Sequence, residues 1–324
     1  MRISSLARVR ARYSSSIIFV SLGVLFLAFV MMSSVRIFKD APFRQAFVVT
    51  TDPMRIITWD KKRTAVQIVS VPSDILIDGA LGYGQYALSA LWTLDTLDRH
   101  NGILLSNSVA QALGIPITDV IFTDMPNSEF PVLDSMKKLF SWSSIARRLF
   151  GRVGTTISVS DWVHIVFIVH TLRTDDMEVL DLSMATADVL RPDGTVVRVL
   201  DPQKVDYILG NSLHDQALRN ENKTVTIINT TSVIGIGSSL ARIINRFGIQ
   251  VVSVTTESEI IDTCQIQTDK KTRESLTFQF LKMYLLCEEK ISDDISGQSD
   301  ITLRIGSAFA SAYSDPSSAR SSEF

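Results

Sequence analysis

The sequence predicts a mixed α/β protein with an N-terminal transmembrane helix. An uncharged apolar stretch occupies residues 13–35, and after it β-branched segments alternate with segments of helical periodicity. The chain has 324 residues, of which 46% are apolar, so it is long enough for two globular domains. Its net charge of −2 argues against a phosphate-binding surface built on bulk positive charge, and we predict no nucleic-acid partner.

The stretch from Tyr13 to Val35 contains no charged residue. It is long enough to cross a bilayer, because about 20 helical residues span a hydrocarbon core of about 30 Å. Four cations and no acid precede it: Arg2, Arg8, Arg10 and Arg12. This bias predicts a single-pass protein of the cell membrane, with its N-terminus in the cytoplasm and the later domains outside the cell. A cleaved signal peptide is the alternative, although Val30–Ser34 is a poor cleavage site.

The middle of the chain predicts strands and helices in alternation. The predicted strands are Phe47–Thr50, Arg55–Thr58, Ala65–Val71 and Ile117–Phe122, all rich in β-branched residues. The predicted helices are Tyr86–Leu97, Leu104–Leu113 with Gly114 as its stop, and most of 131–148. Between residues 184 and 222, the turn signal Arg191–Gly194 predicts a hairpin, and a connecting helix follows it.

The last block has the clearest pattern, in the order β-α-β-β-α-β. Its predicted elements are strands at Thr224–Ile228, Ile249–Val254, near Cys264 and at Ile301–Ile305, and helices ending at Gly248 and spanning Lys271–Cys287. The Ser-rich residues 314–324 are predicted to be a disordered tail, because they cannot bury enough apolar surface to fold.

Common catalytic and metal-binding motifs are missing from the sequence. The four histidines lack metal-ligand spacing, and there is no Gly-x-Ser-x-Gly and no Walker loop. Gly235-Ile-Gly237 invites comparison with a dinucleotide-binding loop, but Leu240 stands where the third glycine belongs. A turn that packs the following helix close to its strand is the simpler interpretation. A nucleotide-binding domain is the third function class that the sequence leaves open.

The two cysteines of the chain lie in the last block. Cys264 is on a predicted strand, and Cys287 ends a predicted helix. A location outside the cytoplasm permits disulfides, so we predict a bond between these residues. Two buried thiols that act as small apolar side chains are the alternative.

Residues 223–313 resemble the C-terminal domain of LytR-type cell-envelope proteins. The matching segments are Val225–Gly237, Arg246–Ser253 and the closing Asp300–Gly306. In that domain a strand leads through an Asn-Gly-Thr-like turn and a Gly-rich loop into a helix. The resemblance implies a loop motif here, formed by Asn229, Thr230, Gly235 and Gly237. Thr230 stands where glycine is usual.

Residues 43–183 look like a reduced LytR-CpsA-Psr domain. Members of that family transfer glycopolymers from a polyprenyl pyrophosphate carrier to the cell wall, assisted by magnesium. Asp52 and Val71–Asp74 match the family pattern in order and spacing, so the resemblance implies Asp52 and Asp74 as metal-site candidates. Ser73 replaces an arginine expected to grip pyrophosphate, and a hydroxyl cannot rebuild a bidentate anion clamp.

Together these features predict a membrane-anchored, extracytoplasmic cell-envelope protein. The resemblance implies a non-catalytic binding, scaffold or regulatory relative of the LytR-CpsA-Psr proteins, and we predict no cofactor. The implied partners are the membrane and a cell-wall glycopolymer, peptidoglycan or polyprenyl-linked glycan. The alternative is a magnesium-dependent phosphotransferase that attaches glycopolymers to the wall. The predicted segments are a basic tail at 1–12, the anchor at 13–35, domains at 43–183 and 223–313, a hairpin and linker at 184–222, and a tail at 314–324.

Overall fold

The computed structural model describes residues 44–60, 65–123, 132–151, 153–210, 212–291 and 299–313, together with Ser21. These residues form three sheets of six, four and five strands, and helices pack against the sheets. The strands are β1 (Gln45–Val49), β2 (Met54–Asp60), β3 (Ala65–Val71), β4 (Leu76–Gly79), β5 (Gly84–Ala87), β6 (Asp119–Phe122), β7 (Gly154–Thr155), β8 (Met177–Asp181), β9 (Thr186–Leu190), β10 (Val196–Leu200), β11 (Thr224–Asn229), β12 (Gln250–Thr256), β13 (Gln265–Thr268), β14 (Glu288–Ile291) and β15 (Ile301–Ile305). The helices are α1 (Leu88–Leu97), α2 (Ile103–Leu113), α3 (Val132–Leu139), α4 (Trp142–Leu149), α5 (Val159–Thr171), α6 (Pro202–Leu209), α7 (Gln216–Glu221), α8 (Ile236–Arg246), α9 (Leu276–Leu285) and α10 (Ser307–Tyr313).

The central six-stranded sheet has the order β7-β6-β1-β2-β3-β8. Strand β2 runs antiparallel to both β1 and β3, so β1 and β3 share one direction. Strand β6 is parallel to β1, and β8 is parallel to β3. The carboxyl ends of four strands therefore meet at the same edge of this sheet.

Both faces of the central sheet are buried. Along β1, Ala46 and Val48 enter one hydrophobic core, whereas Phe47 and Val49 enter another, as the two-residue period of a strand requires. Residues of α1 and α2 complete the first core, and residues of α3 and α5 complete the second. The result is a three-layer arrangement with the sheet in the middle.

The predicted hairpin between residues 184 and 222 belongs to a second sheet, of order β5-β4-β10-β9. Strands β9 and β10 pair from Leu190 opposite Val196 to Thr186 opposite Leu200. Strand β10 also runs parallel to β4, with Val199 opposite Leu76. The hairpin is therefore hydrogen-bonded to a part of the chain more than a hundred residues earlier.

The third sheet has the order β12-β11-β15-β13-β14, with β11 parallel to both of its neighbours. Helix α8 packs closely on β12, because a Cβ added at Gly237 would lie 2.8 Å from Val254 Cγ1. This contact agrees with the turn-and-packing interpretation of Gly235-Ile-Gly237. Two elements of this unit had no counterpart in the sequence prediction, the edge strand β14 and the final helix α10.

Helix α8 also joins the C-terminal unit to the earlier part of the chain. Its Ile243 belongs to the same core as α1 and α2. Arg242 donates to Asp206 Oδ1 at 2.8 Å and to the carbonyl of Ala112 at 3.1 Å. Arg246, which is nearly buried, forms an ion pair with the same carboxylate of Asp206. The junction thus combines apolar packing with two ion pairs, in which Arg242 and Arg246 both bind the carboxylate of Asp206.

The predicted anchor and the localisation based on it are wrong. Within the described ranges, no helix is both long and apolar enough to cross a bilayer. The longest helix there, α5, has 13 residues, which reach about 20 Å, short of the hydrocarbon core. Of residues 13–35, only Ser21 is described. The fold of the described residues is mixed α/β, and none of their helices supports the predicted single-pass topology.

Cys264 and Cys287 are joined by a disulfide, with their Cα atoms 4.7 Å apart. The bond ties the start of β13 to the start of β14, 23 residues later. Replacing both residues with serine should lower the free energy of unfolding by about 3 kcal/mol, the chain-entropy estimate for a loop of this size. Urea denaturation under oxidising conditions measures the loss. A reducing agent should destabilise the native chain and leave the double variant unchanged; equal responses would contradict the prediction.

His214 lies at the junction, partly buried, with Nδ1 shielded from solvent and without a hydrogen-bond partner among the described residues. Burial lowers the pKa of His214, and the charges of Arg219, Arg246 and Arg44 lower it further. The unfolded chain therefore takes up a proton that folded His214 resists, and stability present above about pH 6.5 is lost as the pH falls below that value. Urea denaturation between pH 8 and pH 5 should show this fall in the native chain and a weaker one in His214→Gln. Parallel pH profiles would show that His214 contributes nothing.

Candidate functional site

A cavity of about 330 Å³ opens at the edge where the carboxyl ends of β1, β3 and β8 meet. We call it the acidic cavity. Its lining consists of Asp52, Pro53, Ser70, Pro72, Ser73, Asp74, Asp181 and Ser183. The topology explains this grouping, because parallel strands bring the loops that follow them to one edge. Both metal-site candidates from the sequence lie here.

Asp52 follows β1 in a tight turn with a cis peptide bond to Pro53. The hydroxyl of Thr51 donates to the carbonyl of Pro53 at 2.7 Å. The carboxylate of Asp52 accepts a 2.5 Å hydrogen bond from Ser73 Oγ, which links the β1–β2 turn to the β3–β4 turn. Ser73 therefore acts as a hydrogen-bond donor to an acid, and this bond holds the two turns together.

Asp74 and Asp181 are also engaged. Arg198, on β10, donates from Nη1 to Asp74 Oδ2 at 3.0 Å. Asp181 accepts from the backbone N–H of Ser183 at 2.9 Å and from its hydroxyl at 3.0 Å. Each of the three carboxylates thus already holds a turn or an ion pair.

Arg198 was missed in the sequence analysis, because 124 residues separate it from Asp74. No local motif marks such a pair. Only the pairing of β10 with β4, directly after Asp74, brings the guanidinium within reach. The sequence places Arg198 in the predicted hairpin, but it does not indicate that the hairpin pairs with β4 beside Asp74.

Arg55 is a second cation near the cavity. It lies opposite Ser70 on β3, and Ser70 lies opposite Asp181 on β8, so the three residues form one row across a single face of the sheet. Burial lowers the pKa of the Arg55 guanidinium. The guanidinium of Arg55 has no hydrogen-bond or ion-pair partner in the described part of the chain.

Among the described residues, the acidic cavity contains no preformed metal centre built from three or more protein ligands. Magnesium requires several oxygen ligands in near-octahedral geometry. Across the described ranges, no group of three or more His, Cys, Asp or Glu side chains is placed to hold one metal ion. Asp52 and Asp74 line the same cavity, but the first accepts from Ser73 and the second from Arg198.

The loop motif implied by the LytR resemblance is stabilised by bonds within the C-terminal unit. Asn229 Oδ1 accepts from the backbone N–H and the hydroxyl of Thr231, and its amide donates to the carbonyl of Val233. Thr230 Oγ1 donates to the carbonyl of Ile305 at 2.6 Å. Gly235 begins helix α8 with φ of 84°, a conformation that favours glycine. These contacts give the loop a structural role.

A larger groove of about 560 Å³ lies between the second sheet and helices α2 and α8. Apolar side chains of β9 and β10 form one wall, and Gln111 and Arg242 lie on the other. Leu190 and Val196 are exposed on the hairpin beside it. This groove is separate from the acidic cavity, and Asp78 is the one carboxylate in its lining.

The sequence matches no protein-family model and no curated protein. Solved structures similar to this chain include the transcriptional regulator YvhJ and TagV, both of Bacillus subtilis, each 14% identical with a TM-score of 0.37 over 51% of this chain and 93% of that chain. Another is the LytR-CPS2A-psr family protein YwtF (TagT) with bound octaprenyl pyrophosphate lipid, 13% identical with a TM-score of 0.30 over 51% of this chain and 87% of that chain. The C-terminal unit is not assigned by these neighbours. Similarity this low does not transfer a function to this chain.

Replacing Asp52 or Asp74 with asparagine should change the free energy of unfolding by about 1 kcal/mol or less. The amide keeps the shape and one acceptor oxygen, and the Asp74 ion pair is largely exposed to solvent. Urea denaturation measures the change, and Asp175→Asn serves as an exposed control away from the cavity. A loss of several kcal/mol in either variant would contradict the turn and ion-pair roles assigned here.

Proposed function

We propose that this protein binds an uncharged glycan segment of a cell-envelope polymer in the acidic cavity and does not transfer it. The observation that carries the proposal is the composition of the lining: three carboxylates, three hydroxyls and two prolines, with no lysine or arginine. Such a surface suits sugar hydroxyls, which donate to carboxylates and exchange hydrogen bonds with serine. The prolines offer apolar contact to the C–H faces of a sugar ring.

Charge argues against transfer from a pyrophosphate carrier. That reaction needs cations or metal ions that neutralise negative charge developing on the phosphates. A pyrophosphate in the acidic cavity would instead face Asp52, Asp74 and Asp181. The guanidinium of Arg198 is already paired with Asp74, and Arg198 is outside the lining. The site therefore favours a neutral ligand.

The cell-envelope context comes from the sequence resemblance. Residues 43–183 and 223–313 resemble domains of proteins that handle wall glycopolymers, and Asp52 and Asp74 occupy matching positions. A domain that keeps a glycan-facing cavity and lacks the arginine clamp fits a binding, scaffold or regulatory component. The glycan class, a wall glycopolymer, peptidoglycan or a polyprenyl-linked glycan, follows from that resemblance alone.

One observation favours the alternative, a glycopolymer phosphotransferase. Arg55 is a half-buried guanidinium without a partner among the described residues, in the same row as Ser70 and Asp181. One cation outside the lining does not offset the negative charge of three carboxylates within it, so glycan binding is favoured over phosphate transfer. The variant Arg55→Gln separates the two functions, because only phosphate chemistry needs its charge.

The test measures binding and transfer on the same protein. Titration calorimetry with a trisaccharide of N-acetylglucosamine should show binding, and Asp181→Asn should weaken it about tenfold, a loss of about 1.4 kcal/mol. Arg55→Gln and the exposed control Asp175→Asn should bind as the native chain does. Incubation with magnesium and a polyprenyl-pyrophosphate glycan should release no phosphate above a protein-free blank.

Two results would overturn the proposal. Magnesium-dependent phosphate release that disappears in both Asp52→Asn and Arg55→Gln, with normal melting transitions, would establish the transferase. Trisaccharide binding that is unchanged in Asp181→Asn would move the glycan away from the acidic cavity.

A further inference from the structure

A stripe of apolar side chains faces solvent on helices α4 and α5. We call it the aromatic stripe, and its members are Trp142, Ala146, Leu149, Phe150 and Phe167. Trp142, Ala146 and Leu149 on α4 and Phe150, the residue that caps its end, recur at i, i+4, i+7 and i+8. This is the spacing of one helix face. Three of them are strongly exposed: Trp142 at 50%, Leu149 at 61% and Phe150 at 78%. Apolar side chains grouped in this way mark an interaction surface.

The opposite face of α4 is anchored by polar contacts. Ser144 is fully buried and accepts a 3.0 Å hydrogen bond from Trp162 Nε1. Arg148 Nη2 donates to the carbonyl of Ile157 at 2.7 Å. These bonds fix the rotation of the helix about its axis, so the stripe cannot turn inward without breaking them. The outward apolar face is therefore a stable feature of the fold.

The ring of Trp142 is held in place on the surface. Phe167 contacts it edge-on at a centroid distance of 4.7 Å, and His170 lies against it at 5.1 Å. These contacts cover part of the indole and leave half of the side chain exposed. A positioned indole costs little conformational entropy when it binds a partner.

Cations border the aromatic stripe. Lys137 and Lys138 are in the last turn of α3, directly before α4, and Arg147 and Arg148 are in the last turn of α4. The described segment 132–151 contains these four cations and one acidic residue, Asp134. The whole chain has a net charge of −2, so this positive excess is local.

We propose that the aromatic stripe and its bordering cations bind the surface of an anionic lipid bilayer. Tryptophan, phenylalanine and leucine on one face of a helix, with cations beside them, are the composition of an interfacial membrane-binding helix. Anionic headgroups attract Lys137 and Arg147, and the apolar side chains enter the headgroup region. The strongly exposed apolar side chains of Leu149 and Phe150 make a sugar a poor ligand for this surface. This is peripheral binding through α4, and it is independent of the function proposed for the acidic cavity.

The test uses the full chain and a signal local to the stripe. Of the four tryptophans, Trp59 and Trp162 are buried and Trp92 is partly buried, whereas Trp142 is exposed on the stripe. Brominated phosphatidylglycerol in phosphatidylcholine vesicles should therefore quench Trp142. The quenched component, obtained by subtracting the spectrum of Trp142→Phe, should be absent with brominated vesicles of phosphatidylcholine alone. About 1 M salt should abolish it, because the Debye length falls to about 3 Å.

Variants separate the apolar and charged contributions. Leu149→Ser/Phe150→Ser and Lys137→Glu/Arg147→Glu should each lose the quenching, and all four side chains lie at the surface or near it. Ile260→Ser, at a position 68% exposed in the C-terminal unit, is the matched control and should behave as the native chain. Equal quenching by neutral and anionic vesicles would overturn the proposal. So would a lipid-free dimer in sedimentation experiments that Leu149→Ser/Phe150→Ser dissociates, since a second copy would then cover the stripe.

Discussion

Burial of both faces of the central sheet is the constraint on which the rest of the structure depends. Strands β1, β2 and β3 alternate apolar residues to two cores, so helices must cover the sheet on each side. Polar residues are then confined to the edges, where the strands end. The shared direction of β1, β3 and β8 places Asp52, Ser73 and Asp181 at one such edge, and the acidic cavity results from that topology.

Elements with strong local signals could be predicted from the sequence. Ala65–Val71 and Ile301–Ile305 are strands with the predicted bounds, because both segments are rich in β-branched residues. Other boundaries depended on partners. Tyr86 and Ala87 were predicted to be helical, but they pair with Ile77 and Leu76 as the end of β5. Strand β14 is polar at three of its four positions, so only its pairing with β13 makes it a strand.

The site was predictable in part for the same reason. The resemblance to the LytR-CpsA-Psr pattern implied Asp52 and Asp74 as members of one site, and both line the acidic cavity. Asp181 and Arg198 come from β8 and β10, whose positions depend on parallel pairing over more than a hundred residues. The apolar run at 13–35 predicted an anchor from local composition, and no described helix supports it. Local sequence patterns predict single segments, whereas the charges that meet at the acidic cavity depend on how the strands pair in the folded sheet.

The placement of helix α8 has a consequence for how the molecule unfolds. Ile243 fills the core shared with α1 and α2, while neighbouring residues of the same helix fill the core of the C-terminal unit. Separating the units would expose apolar surface in both cores and leave Asp206 without its two guanidinium partners. The free energy of opening one unit therefore includes part of the stability of the other. We therefore expect the two units to unfold in one cooperative transition, so that a destabilising substitution in either unit lowers the stability of both.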